Sequence, residues 1–134
     1  MDSRLQKLER VLRALADPTR LRIVGLLAGG EICVCHIHES LRIPQPKASR
    51  HLAYLRRAGL VATRRDGLWV HYRLAEPTDP AARTVLNAAV HTLGHVPTAR
   101  HDEVRLKRKA AREPVDRRLL PVIACCGAHA ERGR

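Results

Sequence analysis

Thiols and imidazoles carry the reactive chemistry of this chain, which has four cysteines and eight histidines in 134 residues. Cys33 and Cys35 flank Val34, with His36 next and His38 two positions further on. Thiolates are soft donors that select thiophilic ions over the harder ions held by oxygen ligands. On an ideal helix, residues two apart are turned by about 200°. If both cysteines stand in one helix, an ion that reaches both sulfurs must distort it. Cys125 and Cys126 form a second, adjacent pair behind the apolar run Val122-Ile123-Ala124. They suit inert packing, a redox pair or capture of a thiophilic ion. His91 and His95, four apart, share a helical face at metal-capable spacing, and they read first as surface or interface residues. A buried cysteine can also serve as a small hydrophobe, so the surrounding elements must decide between packing and ligation.

Those elements follow from periodicity and punctuation. Residues 3–15 place Leu5, Leu8, Val11, Leu12 and Leu15 at helical spacing, an apolar stripe that a second subunit would cover. Asp17-Pro18 gives an N-cap followed by proline at the first helical position, and the helix after it stops at Gly29-Gly30. Residues 31–42 read as a short helix that contains both cysteines. It is broken at Ile43-Pro44, because the residue before proline is pushed out of the helical region. Gln45 and Pro46 open the next helix, which runs to about Arg57 and ends at Gly59. Two strand-like runs, 60–65 and 68–74, are then joined by Asp66-Gly67, a strong hairpin signal. Asp79-Pro80 starts a further helix with a wide apolar face of small residues, suited to close packing in a dimer seam.

The predicted fold is therefore mostly α with a small β-hairpin, in the order of a winged helix-turn-helix. Residues 1–97 form the DNA-binding and dimerisation domain. Residues 98–134 form a charged tail that ends in the Cys-Cys segment.

A formal charge of +12 points to a polyanionic partner. Position sharpens this, since residues 42–73 hold eight lysines and arginines and a single acid, Asp66. A recognition helix lies in the major groove with its first turns near the base edges. Here those turns offer Gln45, Lys47, Ser49, Arg50 and His51, with Tyr54 one turn on. Gln pairs bidentately with adenine and Arg with guanine, while Lys and Ser suit phosphate oxygens. Arg64 and Arg65 near the hairpin tip would track the backbone or the adjacent minor groove. The expected partner is double-stranded DNA.

Other classes fit less well. No apolar run approaches membrane-spanning length, and the charged start lacks a secretory apolar region, so the expected location is cytoplasmic. A metal-dependent hydrolase needs a convergent acid/base and an open metal position, and few acids are available, so no enzymatic activity is expected. A constitutive DNA-compacting protein would account for the charge but not for the paired thiols.

The chain resembles the ArsR/SmtB family of metal- and metalloid-responsive transcriptional repressors over about residues 5–93. The likeness rests on Asp17-Pro18-Thr19-Arg20, Ser49-Arg50-His51-Leu52, Ala58-Gly59-Leu60-Val61 and Trp69-Val70-His71-Tyr72-Arg73-Leu74. The resemblance implies a winged-helix homodimer with its first and last helices at the interface, on an operator of twofold symmetry released when an inducer binds. Glu31-Ile32-Cys33-Val34-Cys35 is similar to the arsenic-responsive branch, which implies Cys33 and Cys35 as thiolate ligands of As(III) or Sb(III). No obligatory cofactor is implied. In relatives with this motif a third cysteine often stands where this chain has His38. The site would then bind through two sulfurs, gain Cys125 or Cys126, or use His38 or His36 for a borderline ion such as zinc or cadmium. A repressor on the same fold that senses cadmium, lead, zinc or thiol oxidation is the alternative. Zinc-sensing relatives use the last core helix, but here Asp79 is followed by Pro80-Ala81, so half of that site is missing.

Overall fold

The computed structural model describes residues 2–112. Three aspartates start three of its helices. Asp2 accepts from the Arg4 amide ahead of α1 (Ser3–Leu15), Asp17 from the Arg20 amide ahead of α2 (Pro18–Leu27), and Asp79 from the Ala82 amide ahead of α5 (Pro80–Leu93). Each satisfies an amide that the first helical turn leaves without an intrahelical partner. Between α2 and α5 lie β1 (Ile32–Cys33), α3 (Val34–Leu41), α4 (Gln45–Arg57), β2 (Val61–Asp66) and β3 (Trp69–Leu74), and α6 (Pro97–Arg112) follows.

The predicted winged helix-turn-helix is present. Ile23, Val24 and Leu27 of α2, Ile37 and Leu41 of α3, and Leu52 and Leu55 of α4 meet in one core with Leu60 and Val61. Truncating one such leucine to alanine typically costs about 2–5 kcal/mol. Arg42, at φ 57, makes the left-handed turn between them. On α1, Val11, Ala14 and Leu15 are buried, whereas Leu5 and Leu12 of the predicted stripe remain exposed.

Two local expectations are corrected. The predicted helix over 31–42 begins late: Ile32 and Cys33 form a strand that pairs with Tyr72 and His71 of β3. The wing is thus an antiparallel three-stranded sheet in the order β1-β3-β2. The hairpin turn also sits one residue later than Asp66-Gly67. Asp66 pairs with Trp69, leaving Gly67 and Leu68 as the loop, with Gly67 at φ 63. Positive φ at the first loop position, where glycine meets no steric cost, is the pattern of a II′ turn.

Among the described residues, those after Val96 form α6. α6 docks against α2 and α3 through Ala99, Leu106 and the fully buried Asp102. Asp102 receives two hydrogen bonds from Arg22, at 2.9 and 2.8 Å, and a further one from Arg105. The same two arginines donate to the Leu41 and Ser40 carbonyls at the end of α3. A buried carboxylate is tolerated only with such partners. Cys125 and Cys126 lie outside the described residues.

Candidate nucleic-acid interface and thiol site

α4 carries the candidate reading face because its two sides differ. Ala48, Leu52 and Leu55 face the core, while Lys47, Arg50, Ala53 and Arg57 are exposed along the opposite row. Ala53 was not singled out from the sequence. Its small side chain is flanked by Arg50 and Arg57 on this row. Gln45 donates to the Ser49 hydroxyl at 2.7 Å, so these two act as a joined polar pair on the first turn.

His51 and Tyr54 are half-buried and turned toward α2. The Arg20 guanidinium lies 4.1 Å from the centre of the Tyr54 ring and 3.4 Å from His51 Nδ1, and it also donates to the Ala14 carbonyl at 2.6 Å. Asp17 lies 3.8 Å from His51 Nδ1. Burial pushes the His51 imidazole below its usual pKa; the positive charge of Arg20, Lys47 and Arg50 acts in the same direction and Asp17 against it. These contacts seat α4 on the start of α2.

In the wing, Arg65 is exposed near the tip. Arg64 is engaged with Glu31, its Nε lying 3.0 and 3.2 Å from the two carboxylate oxygens and Nη2 2.6 Å from Oε1. Hydrogen bonding from Arg64 holds the Glu31 carboxyl below its usual range.

Cys33 and Cys35 stand at the junction of β1 and α3 rather than inside one helix. Cys33 is extended, at φ −71 and ψ 147, and caps α3, while Cys35 lies in its first turn. This geometry removes the rotation penalty expected for two helical positions. Both side chains are fully buried and pack in one small cluster with Val34 and Trp69. His36 lines a cleft between α2, α5 and α6, and His38 Nδ1 sits 3.2 Å from the Ile43 carbonyl oxygen. Among the described residues, no three His, Cys, Asp or Glu side chains are grouped so as to hold a metal ion. His91 and His95 meet edge-to-face, with ring centres 5.5 Å apart on the exposed side of α5 and just beyond it. Among the described residues no helix is long and apolar enough to cross a membrane.

The model of the bacterial regulatory protein arsR family matches residues 17–63, from the cap of α2 into β2. The arsenical resistance operon repressor of Escherichia coli K12 is 47% identical over 81 residues, which are 60% of this chain and 69% of that one. The chain belongs to the ArsR family. An arsenic resistance transcriptional regulator of Pseudomonas putida is 54% identical over 65 residues, 48% of this chain and 51% of its own, so this ArsR-family chain spans about half that relative's length. Among solved structures, a homodimeric winged helix-turn-helix DNA-binding domain from Mycobacterium bovis, described as a possible ArsR-family regulator, superposes with a TM-score of 0.58. It is 35% identical, and the match covers 70% of this chain and 85% of that one. The named relatives are regulators of transcription, not enzymes.

Proposed function

We propose that this ArsR-family chain is a homodimeric repressor that leaves its operator when As(III) or Sb(III) is captured by Cys33 and Cys35. The observation that carries the reading is the joint burial of the two thiols in one cluster at the strand-helix junction that supports the reading unit. Arsenite enters as As(OH)3. Each sulfur that bonds to arsenic displaces one hydroxyl, which leaves as water with the thiol proton, and no electrons change hands. Two sulfurs leave one hydroxyl on arsenic. A third thiol, from Cys125 or Cys126 of either subunit, would replace it.

Capture at two fully buried sulfurs requires the β1–α3 junction to open, and α3 is the helix on which α4 rests. An inducer shifts an equilibrium only by its differential affinity for the two states. The opened junction, with less well seated α4 and wing, is the state that arsenic stabilises. Lys47, Arg50 and Arg65 supply contacts to operator DNA. The exposed Leu5 and Leu12 of α1 fit burial against a second copy.

Two clustered thiols also suit cadmium, lead, zinc or oxidation to a disulfide. A panel of inducers on a fluorescent operator complex, with and without reductant, separates these readings. Arsenite and antimonite should release DNA in the presence of reductant. Release by oxidant alone, reversed by dithiothreitol and with arsenite inactive, would replace the metalloid reading by a redox one.

A further inference from the structure

Cys33 lies on the face of the wing sheet that turns away from the main core. Ile32 and Val61 are buried in that core, and Tyr72 and Leu74 pack against it. Side chains alternate along a strand, and directly paired residues share a face. The row Cys33–His71–Arg64, read through the two registers, therefore lies on the opposite face. Even so, Cys33 is fully buried and His71 is only 3% exposed. Trp69 packs against the two cysteines, and Arg64, on the same face of the sheet, pairs with Glu31. Glu31 directly precedes β1 and Arg64 stands in β2, with β3 between these strands. The ion pair thus spans the middle strand on the face that carries His71.

We infer that Glu31 and Arg64 form a strut that fixes the wing for the operator and transmits the state of Cys33 to it. The inference rests on metalloid capture at Cys33 and Cys35, and it adds a route through the wing to the route through α3. With the strut closed, β2 is tied to the segment that carries Cys33, and Arg65 and the Gly67 turn are held in one orientation. Arsenic at Cys33 needs room on the face that the strut spans, so capture parts Glu31 from Arg64 and lets β2 shift. Both residues are positioning residues in this scheme. The three hydrogen bonds give the pair a defined direction that a single lysine contact would lack.

The expected effect is modest, because Arg64 is 52% exposed and Glu31 29%. Ion pairs of this exposure correspond to about a two- to fivefold change in an equilibrium constant per wing. Coupling between two ligands is reciprocal. Whatever the strut adds to operator affinity is therefore lost again as part of the arsenite response.

The test compares wild type, Glu31→Gln and Glu31→Asp as full-length protein. Operator affinity is read by fluorescence anisotropy with and without arsenite, and hydrogen exchange is read over residues 61–66. Glu31→Gln should bind the operator about two- to fivefold more weakly per wing without arsenite. Its fold-release by arsenite should shrink by the same factor, its β2 amides should exchange faster, and Glu31→Asp should recover part of each effect. Wild-type operator affinity together with wild-type β2 exchange in Glu31→Gln would overturn the strut. Weaker binding with an undiminished fold-release would overturn its role in transmission. Failure of the metalloid reading shows elsewhere, as a wild type that keeps its operator in arsenite.

Discussion

The Arg20 guanidinium lies over the Tyr54 ring, 4.1 Å from its centre, and so ties the middle of α4 to the first turn of α2. Cation-π contacts of this kind contribute about 0.5–2 kcal/mol, depending on how far they are desolvated. The same arginine donates to the Arg13 and Ala14 carbonyls at the end of α1. One side chain therefore joins α1, α2 and α4, and its position explains why His51 and Tyr54 face inward from the reading helix.

His51 makes this seat sensitive to pH. Burial, helped by Arg20, Lys47 and Arg50 and opposed by Asp17, lowers its folded-state pKa below the usual value. The folded chain thus binds fewer protons than the unfolded one. The stability tied to neutral His51 is fully present above the unfolded value, about 6.5, and is lost as pH falls below it. Thermal unfolding between pH 7.5 and 5.5 should show a fall in wild type that is shallower in His51→Gln. An identical slope in the two proteins would remove His51 from the seat.

Lys47 and Arg50 should separate affinity from specificity. Lys47→Ala is expected to weaken binding evenly across sequences and to reduce the slope of log affinity against log salt by about 1 per subunit. Arg50→Ala should cost about 1–3 kcal/mol on the true operator and relax preference at one base pair in each half-site. Salt titrations on operator and scrambled duplexes distinguish the two. Equal losses on both duplexes for Arg50→Ala would make it a phosphate contact.

The buried Asp102 locks α6 to the end of α3. Asp102→Asn removes the charge that Arg22 and Arg105 share, and breaking a buried pair from one side costs about 3–5 kcal/mol. Both arginines are a quarter exposed and can recover water, so the lower end, about 3 kcal/mol, is expected. Urea unfolding measures it. A change under about 1 kcal/mol would mean that α6 is not part of the folding unit.

Much of this was legible from local signals. Pro44, Pro46 and Gly59 bracket α4, and Asp17-Pro18 and Asp79-Pro80 start α2 and α5 as their capping chemistry requires. The basic hairpin was readable from its alternation. The strand at Ile32–Cys33 was not, because two residues carry no period, and pairing with β3 decides their conformation. Its existence changes the chemistry of the site, since it turns two helical thiols into a buried junction pair shared with the wing. The pairing of Glu31 with Arg64 and the burial of His71 were hidden for the same reason, as both arise only across the sheet. Asp102 was hidden differently. A carboxylate in a charged stretch reads as solvated, and Arg22, distant in sequence, joins Arg105 in making its burial possible.

The central claim is that metalloid capture at Cys33 and Cys35 releases the operator, and its most direct test is arsenite titrated into a protein–operator complex followed by anisotropy. Wild type should dissociate as arsenite rises, while Cys33→Ser/Cys35→Ser should bind DNA comparably and remain bound at the same arsenite level. Release of the double variant at the wild-type arsenite concentration would contradict the account.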